Sequence, residues 1–447
     1  IENDAFKLLL INLFHLNPDD IANIFCTTFN KMMVLVVTLT DKHQVCPHCG
    51  FTAPKIKEYV TKEITHSALT TQKCIIKYRA RRYKCPCCGK TYYEFNPFVF
   101  KSQKISILTV HNILKDLKDF NETFTSVARR YHVSPTSVST IFDKHVDIGR
   151  NPLPEIINFD EVYAFKSEKS KYVCVLLDFK KQIPVDVLPN RKKEYLLNYF
   201  QKIPLEERKK VKYACSDMYE VYRDVVHKVF PEAKHLLDYF HLSQDFHKKM
   251  NEVRIKVMKG YKDDKASDEY YLLKKFNWLL FKNPEDEDKY GRLFDVERER
   301  KYNSHFKSYM NYYDLRKKIL EINNDLTICY SLKLELVDFY SKSTIDNAQV
   351  NLEHLIRSFI DTNIEEMIKF SNNLINWKQE IINSFTIVGT EYKVEADKGQ
   401  VVVCNKKVNN AIIENRNKII KCIKNNANGY TNSLRFRKRV LYVLDPN

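Results

Sequence analysis

The sequence predicts an α/β protein: a mixed-sheet domain interrupted by a mainly helical insert and preceded by a zinc ribbon and a helix-turn-helix. Three observations carry that reading. Strand-like runs alternate with helix-period segments from Ile156 onward, two Cys-x-x-Cys pairs lie near the N-terminus, and two short helical patterns meet at a Ser-Pro turn after them. A chain of 447 residues suits about three domains. With 44% hydrophobic residues, only eight Gly and 14 Pro, it can bury real cores, which excludes wholesale disorder and collagen-like fibre.

Residues 1–45 read as an N-terminal segment. Its most apolar run, Met32 to Leu39, has eight residues where a membrane span needs about 20, so it reads as a buried strand. The chain opens on Ile1 without an initiator Met, and no signal-peptide pattern follows. Twelve Cys in this length is far from disulfide density and points to a reducing compartment.

Residues 46–99 read as zinc-ribbon-like. Cys46 and Cys49 stand in CPHCG, and Cys85 and Cys88 in CPCCGK, 36 residues on from Cys49 to Cys85. Each pair precedes a glycine that lets the chain turn and aim amides at sulfur. Four thiolates suit one tetrahedral Zn²⁺ in a closed, structural site. His48 and Cys87 sit inside the knuckles as substitute ligands of lower rank. The strand-like run Gln72 to Tyr83 ends in a basic stretch, so Arg79, Arg81, Arg82 and Lys84 are expected to face a polyanion, with Lys77 beside them.

Residues 100–150 read as a helix-turn-helix DNA-binding domain. Ala128 is small where two helices would cross, Ser134-Pro135 supplies an N-cap with Pro at the first helical position, and Val138 and Ile141 face inward. The second helix of such a pair enters the major groove. Thr136, Ser137 and Thr140 are then candidate base contacts, and Arg129 and Lys144 candidate phosphate contacts. An ordinary helical hairpin in a core is the alternative.

NPLP at 151–154 breaks the chain. Strands follow at about Ile156–Phe165, Tyr172–Leu177, Ile183–Leu188, Val211–Cys215 and Lys234–Leu237, with helices over about Lys192–Phe200 and Tyr219–Val229. Three strands before the alternation imply a mixed sheet. Asp160 interrupts an apolar strand, where a charge is costly unless paired or metal-bound. Asp217 ends VKYACSD, and Asp238 ends KHLLD with His241 three residues on. Carboxylates at neighbouring strand ends suit Mg²⁺ or Mn²⁺. A helix cap at Asp217 and a buried salt bridge at Asp160 are the competing readings. Asp178 reads as a turn residue, and Glu161 alternates to the face opposite Asp160.

Residues 242–400 read mainly as helix, with candidates around Lys307–Glu321, Ser331–Tyr340, Val350–Ser358 and Ile364–Phe385. Residues 405–439 hold ten Lys or Arg and one acid, Glu414. Ile412, Ile413, Ile419, Ile420 and Ile423 recur at helix spacing, while Arg416, Lys418, Lys421 and Lys424 form the basic neighbourhood. Glu414 alone could be a solvated i,i+4 partner of Lys418. After Gly429-Tyr430, Arg435, Arg437 and Arg439 of LRFRKRV look phosphate-contacting. Overall, 73 Lys and Arg against 56 Asp and Glu give +17, which favours nucleic acid as partner over membrane.

CPHCG, RRYKCPCCG, FDEVYAF, VLPNR, SDMYEVY…FPEAKHLLDYFHL and IIENRNKIIKCIKNNANGYTN…RFRKRV together resemble the ISL3 family of DDE transposases of bacterial insertion sequences. The resemblance spans essentially the whole chain. It implies a ribonuclease-H-like catalytic core over 155–241 and 401–441, interrupted by the insert at 242–400. It also implies that Asp160, Asp217 and Glu414 are the catalytic acids holding two Mg²⁺ or Mn²⁺ ions for in-line displacement at phosphorus. Asp238 and His241 match the family's Asp-x-x-His signature and would support the site. Terminal inverted repeats and target duplex DNA would be the partners, homo-oligomers would form on DNA, and the location would be the bacterial cytoplasm at the nucleoid. Two departures stand out: the turn after the first strand is polar (Ser167–Lys171), and VNNAII replaces a glycine-containing approach to the third acid. A structure-selective nuclease or resolvase with the same acids is one rival, and an inactive or domesticated DNA-binding protein the other.

Overall fold

The N-terminal helix α1 (Glu2–Leu13) buries Leu10 and Ile11, with Phe14 just beyond it, in one apolar core. That core is shared with a five-stranded sheet of order β1-β2-β4-β3, with β5 on β4. Its strands are β1 (Ile21–Phe29), β2 (Met32–Leu39), β3 (Lys55–Thr65), β4 (Cys74–Lys84) and β5 (Thr91–Tyr93). Asn30 and Lys31 close the β1–β2 hairpin, both at positive φ (48° and 61°), as a two-residue turn matched to strand twist requires. Met32–Leu39 is thus the buried strand expected, paired parallel to β4. Residues 1–45 do not stand apart from 46–99. β1 and β2 complete the sheet that carries the cysteine knuckles, because β2 hydrogen-bonds along β4.

Three helices follow: α2 (Ile107–Asp116), α3 (Phe124–Arg130) and α4 (Pro135–His145). Ser106, Thr123 and Ser134 cap them, each side chain accepting an amide of the first turn. The turn between α3 and α4 is Tyr131 to Ser134, with His132 at φ 54°. Ala128, Val138 and Ile141 are buried together, as the periodicity required, and Phe142 joins them.

The computed structural model describes residues 2–42, 44–52, 54–67, 69–101, 103–165, 170–394 and 401–445. It divides into two compact units: 1–149 with 164–171 and 418–447, and 150–163 with 172–417. The polar turn at Ser167–Lys171 falls largely outside the described residues.

In the second unit, β6 (Ile156–Tyr163), β7 (Tyr172–Asp178) and β8 (Ile183–Leu188) form an antiparallel meander. Helices α5 (Lys193–Gln201) and α6 (Leu205–Arg208) lead to β9 (Tyr213–Ser216), and α7 (Glu220–Val229) leads to β10 (Lys234–Leu237). The sheet order is β10-β9-β6-β7-β8, with β6, β9 and β10 parallel. This is the mixed sheet expected, in the order of a ribonuclease-H-like core. One face is covered by α5 and α7 around Phe159, Leu196, Phe200, Tyr222 and Val226. Asp178 takes the bland role foreseen for it, its Oδ1 accepting the amides of Lys180 and Lys181.

The insert begins with α8 (Tyr239–Lys259) and α9 (Asp268–Lys275), then two short hairpins, β11 (Glu287–Asp288) with β12 (Gly291–Arg292) and β13 (Lys301–Asn303) with β14 (Ser308–Met310). It continues through α10 (Tyr312–Ile322), α11 (Asn324–Lys342), α12 (Ala348–Ile360), α13 (Glu365–Asn376) and α14 (Lys378–Asn383) around its own apolar core, from Phe246 to Phe359 and Phe370. The helix expected from Lys307 starts only at Tyr312, since Ser308–Met310 pairs with β13. The one expected over Ile364–Phe385 breaks at Trp377.

Two further corrections concern the end of the chain. The hairpin β15 (Ile387–Val394) and β16 (Val401–Lys407) puts strand inside the stretch read as helical insert, and among the described residues neither strand joins the five-stranded sheet. Helix α15 (Ala411–Asn426) then starts, and its Ile412 packs with Val388, Val408, Cys215 and Leu236 on the second face of that sheet. The last helix, α16 (Ser433–Leu444), belongs to the first unit and not to a core ending at 441: Tyr442 packs edge-on against Phe142 at 5.6 Å. No helix among the described residues is long and apolar enough to cross a membrane.

Candidate active site

Parallel strands bring their carboxyl ends to one edge of a sheet. Asn158 of β6 lies level with Cys215 of β9, and Ser216 of β9 level with Leu237 of β10. Continuing that register sets Asp160, Asp217 and Asp238 abreast on three adjacent strands. Side chains in one such row share a face, here the face that α15 covers. One turn into α8, His241 turns back toward Asp238, its Nε2 3.9 Å from Oδ2. One ligand atom each from Asp238, His241 and Glu414 lies within 4.8 Å of the others. Asp160 and Asp217 belong to no group that tight. They join the cluster through charge: both carboxylates feel His241, and Asp217 also feels Asp160.

Helix α15 is anchored over this row by asparagines. Asn158 Nδ2 donates to the carbonyl of Asn409 (2.8 Å) and to Oδ1 of Asn410 (2.7 Å). The amide of Asn410 donates to Oδ1 of Asp238 at 3.1 Å, and Asn417 Nδ2 to Oδ2 of Asp160 at 2.6 Å. Glu414 therefore starts the helix between two fixed points. No serine, threonine or glycine is needed at the approach, because asparagine side chains supply both the donors and the turn.

The electrostatics are those of a site awaiting a cation. Burial raises Asp217 to about 6, opposed by His241 and reinforced by Glu161 and Asp160. Burial likewise raises Asp160 and Asp238 above the usual carboxylate range. Oδ1 of Asp217, Oδ2 of Asp238 and Nε2 of His241 are buried with no hydrogen-bond partner. Such atoms are expensive to leave bare. The two bare carboxylate oxygens fit a hard divalent ion, which oxygen ligands favour.

Glu161 faces away from that row, as alternation required, and pairs with Arg191. The Arg191 guanidinium lies over the rings of Tyr172 (4.4 Å) and Tyr219 (4.8 Å) and lowers the Asp217 carboxyl. Arg191, Asn158, Asn410 and Asn417 were not singled out from the sequence. The available signal was an uncharged amide, Asn158, in an otherwise apolar strand, and an amide one helical turn after Glu414.

The four cysteines converge in the first unit. Sγ of Cys46 lies 3.7 Å from that of Cys88, and Sγ of Cys49 3.5 Å from that of Cys85. Both knuckles have the same backbone: Gly50 and Gly89 at φ 74° and 72° each donate to the carbonyl of the first cysteine at 2.9 Å. Cys85 is opposed by desolvation but drawn down to about 7 by the amides of Cys88 and Cys87 and by the Cys49 thiol, while Cys49 is pushed up to about 12, its backbone bond from Phe51 outweighed by desolvation and neighbouring sulfurs. One cluster with a low and a high thiol needs a cation to hold four thiolates at once. Cys87 and His48 stay outside the group.

Of the basic and polar residues expected to meet DNA, Arg79, Lys84, Arg129, Thr136, Thr140, Lys144, Lys418 and Lys421 are exposed. Arg82, Ser137, Lys424, Arg435, Arg437 and Arg416 are half-buried. Arg82 pairs with Glu58, Arg435 with Asp143, and Arg416 Nε donates to the carbonyl of Gln182. Two residues correct the expectation. Arg439 is 1% exposed and donates to the carbonyls of Asp119 and Glu122, so it caps a loop from inside. Arg81 turns inward to Glu94 and the carbonyl of Leu39.

A ribonuclease-H-like sheet with acids abreast on its parallel strands defines the nuclease and transposase class. The model of the ISL3-type DDE family, described as Transposase, matches residues 157–396, more than half of the chain. The chain belongs to that family. It is also similar to the transposase for insertion sequence element IS1001 of Bordetella parapertussis, 19% identical over 394 residues, 88% of this chain and 86% of that protein.

Proposed function

We propose that the chain is the transposase of an insertion sequence, binding the element's terminal inverted repeats and catalysing divalent-metal-dependent DNA cleavage and strand transfer. The observation that carries this reading is the row of Asp160, Asp217 and Asp238 on parallel strands, with Glu414 and His241 gathered beside it and three buried atoms unpartnered. Asp160, Asp217 and Glu414 would hold the catalytic Mg²⁺ or Mn²⁺. Those ions supply Lewis acidity and neutralise the charge that builds at the transferring phosphoryl group.

The chain's own residues prepare that chemistry. Asn417 orients the Asp160 carboxylate, and the Asn410 amide fixes one oxygen of Asp238, leaving the other bare. Asp238 and His241 position Glu414, and the His241 charge eases ionisation of Asp217. Preorganised acids spare reorganisation when the phosphodiester arrives.

The four-cysteine cluster would hold one structural zinc. The pair α3 and α4 acts as a helix-turn-helix, with Thr136, Ser137 and Thr140 on the recognition helix and Arg129 and Lys144 on phosphates. Arg79, Arg82 and Lys84 extend the positive surface, and Lys418, Lys421 and Lys424 grip backbone near the scissile phosphate. Holding two ends together implies oligomers on DNA. Replacing Asp217 by Asn tests the assignment: metal-dependent nicking of an end-bearing duplex should vanish while binding persists. Nicking that survives would remove Asp217 from the site.

A further inference from the structure

On the far side of β9 and β10, a second cluster is not used by this chemistry. His227 lies in the last turn of α7, His235 in β10 and Glu380 in α14, and one ligand atom from each lies within 4.8 Å of the others. His235 and Glu380 are buried, whereas the His227 side chain is open to solvent. Oε1 of Glu380 is 4.0 Å from both His235 Nδ1 and His227 Nε2.

Ser216 Oγ lies 2.9 Å from both the carbonyl of Asp217 and His235 Nε2, so it holds that side of the imidazole. On the other side, His235 Nδ1 is buried without a hydrogen-bond partner. It faces a carboxylate oxygen. A buried ring nitrogen and a buried carboxylate that face each other without a hydrogen bond are satisfied together by a cation held between them. The Arg223 guanidinium is engaged elsewhere, over the Trp377 ring at 4.3 Å and on the Asn376 carbonyl at 2.8 Å.

We propose that His227, His235 and Glu380 bind a transition metal, zinc by their donor set, which fastens the last helix of the insert to the catalytic sheet beside Asp217. Two imidazoles and one carboxylate are a zinc ligand set, and the fourth position opens on a cavity of about 500 Å³ that His227, Lys378 and Glu380 line. Zinc bonds of about 2.0–2.1 Å draw the ligand atoms closer than 4.0 Å. His227, at the surface, has room to swing in. The contact between His235 Nε2 and Ser216 Oγ is the outer contact that would orient a metal-bound imidazole. α14 is already joined to β10 here, by Asn383 Nδ2 donating to the His235 carbonyl at 2.9 Å.

The test is zinc content of the full-length chain, stripped with chelator and reloaded with zinc in excess Mg²⁺, then dialysed. Wild type is expected to hold one zinc more per chain than His227→Ala and Glu380→Gln. His227→Ala removes an exposed side chain and leaves the fold intact. With cobalt in place of zinc, the weak visible bands of a nitrogen- and oxygen-ligated ion should disappear in His227→Ala while the ultraviolet thiolate band of the cysteine cluster stays. Equal zinc content in wild type and both variants overturns the proposal, whatever the cysteine cluster holds.

Discussion

Asn417 donates its side-chain amide to Oδ2 of Asp160 at 2.6 Å, tying α15, the helix that carries Glu414, to β6. The two residues are 257 positions apart, with the whole insert between them. The bond sits one helical turn from Glu414, so it sets how close that carboxylate comes to the sheet.

Asn417→Ala should therefore loosen Glu414 without removing any acid. The Mg²⁺ concentration giving half-maximal cleavage should rise about tenfold, a loss of roughly 1–2 kcal/mol for a buried hydrogen bond to a charged group. End binding in a mobility-shift assay should be unchanged. An unaltered Mg²⁺ requirement would mean that α15 holds its place without this bond.

The buried acids make the metal-free protein sensitive to pH. Asp217 is raised to about 6 in the fold, so the unfolded chain releases its proton first. Stability then falls as pH rises from about 4 to about 6 and levels off above, a loss of roughly 3 kcal/mol for about two units. Thermal melts without metal should show this fall, and Asp217→Asn should flatten it. Mg²⁺ should raise the melting temperature more at pH 7.5 than at pH 5. Parallel pH slopes for wild type and variant would contradict the placement.

Much of this was legible in the chain. Asp160 announced itself as a charge in an apolar strand, and the strands at Ile183–Leu188 and Lys234–Leu237 fall where the pattern put them. The knuckles were readable because a glycine follows each Cys-x-x-Cys. What stayed hidden depended on contacts across long separations. Nothing local tells that Arg439, in a basic run, turns inward to the carbonyls of Asp119 and Glu122, or that α16 packs on the three-helix module. Likewise, the amides of Asn158, Asn410 and Asn417 gain meaning only when β6 and α15 meet.

Arg439 and Lys144 should behave oppositely on substitution. Lys144→Ala, at the exposed end of α4, should weaken binding to all duplexes and lower the salt slope by about one. Arg439→Met removes a buried guanidinium's bonds to the carbonyls of Asp119 and Glu122 and should cost about 1–2 kcal/mol in stability, with the salt slope kept. A smaller salt slope for Arg439→Met would return it to the DNA surface.

Zinc removal should act on recognition before chemistry. Cys49→Ser or Cys88→Ser should lose the structural ion and lower affinity for specific ends about tenfold or more. Nicking of short nonspecific duplex at high protein concentration should survive. Calorimetric unfolding should show loss of the N-terminal unit's transition alone. Full end affinity after zinc loss would separate the cluster from recognition.

The central claim is that Asp160, Asp217 and Glu414 act as one metal-dependent site. It is tested most directly by Mg²⁺-dependent nicking of an end-bearing duplex by wild type, Asp160→Asn, Asp217→Asn and Glu414→Gln under single-turnover conditions. Each substitution should abolish nicking, with end affinity within about threefold of wild type. Near-wild-type nicking by Glu414→Gln would contradict the account and shift the third ligand to Asp238.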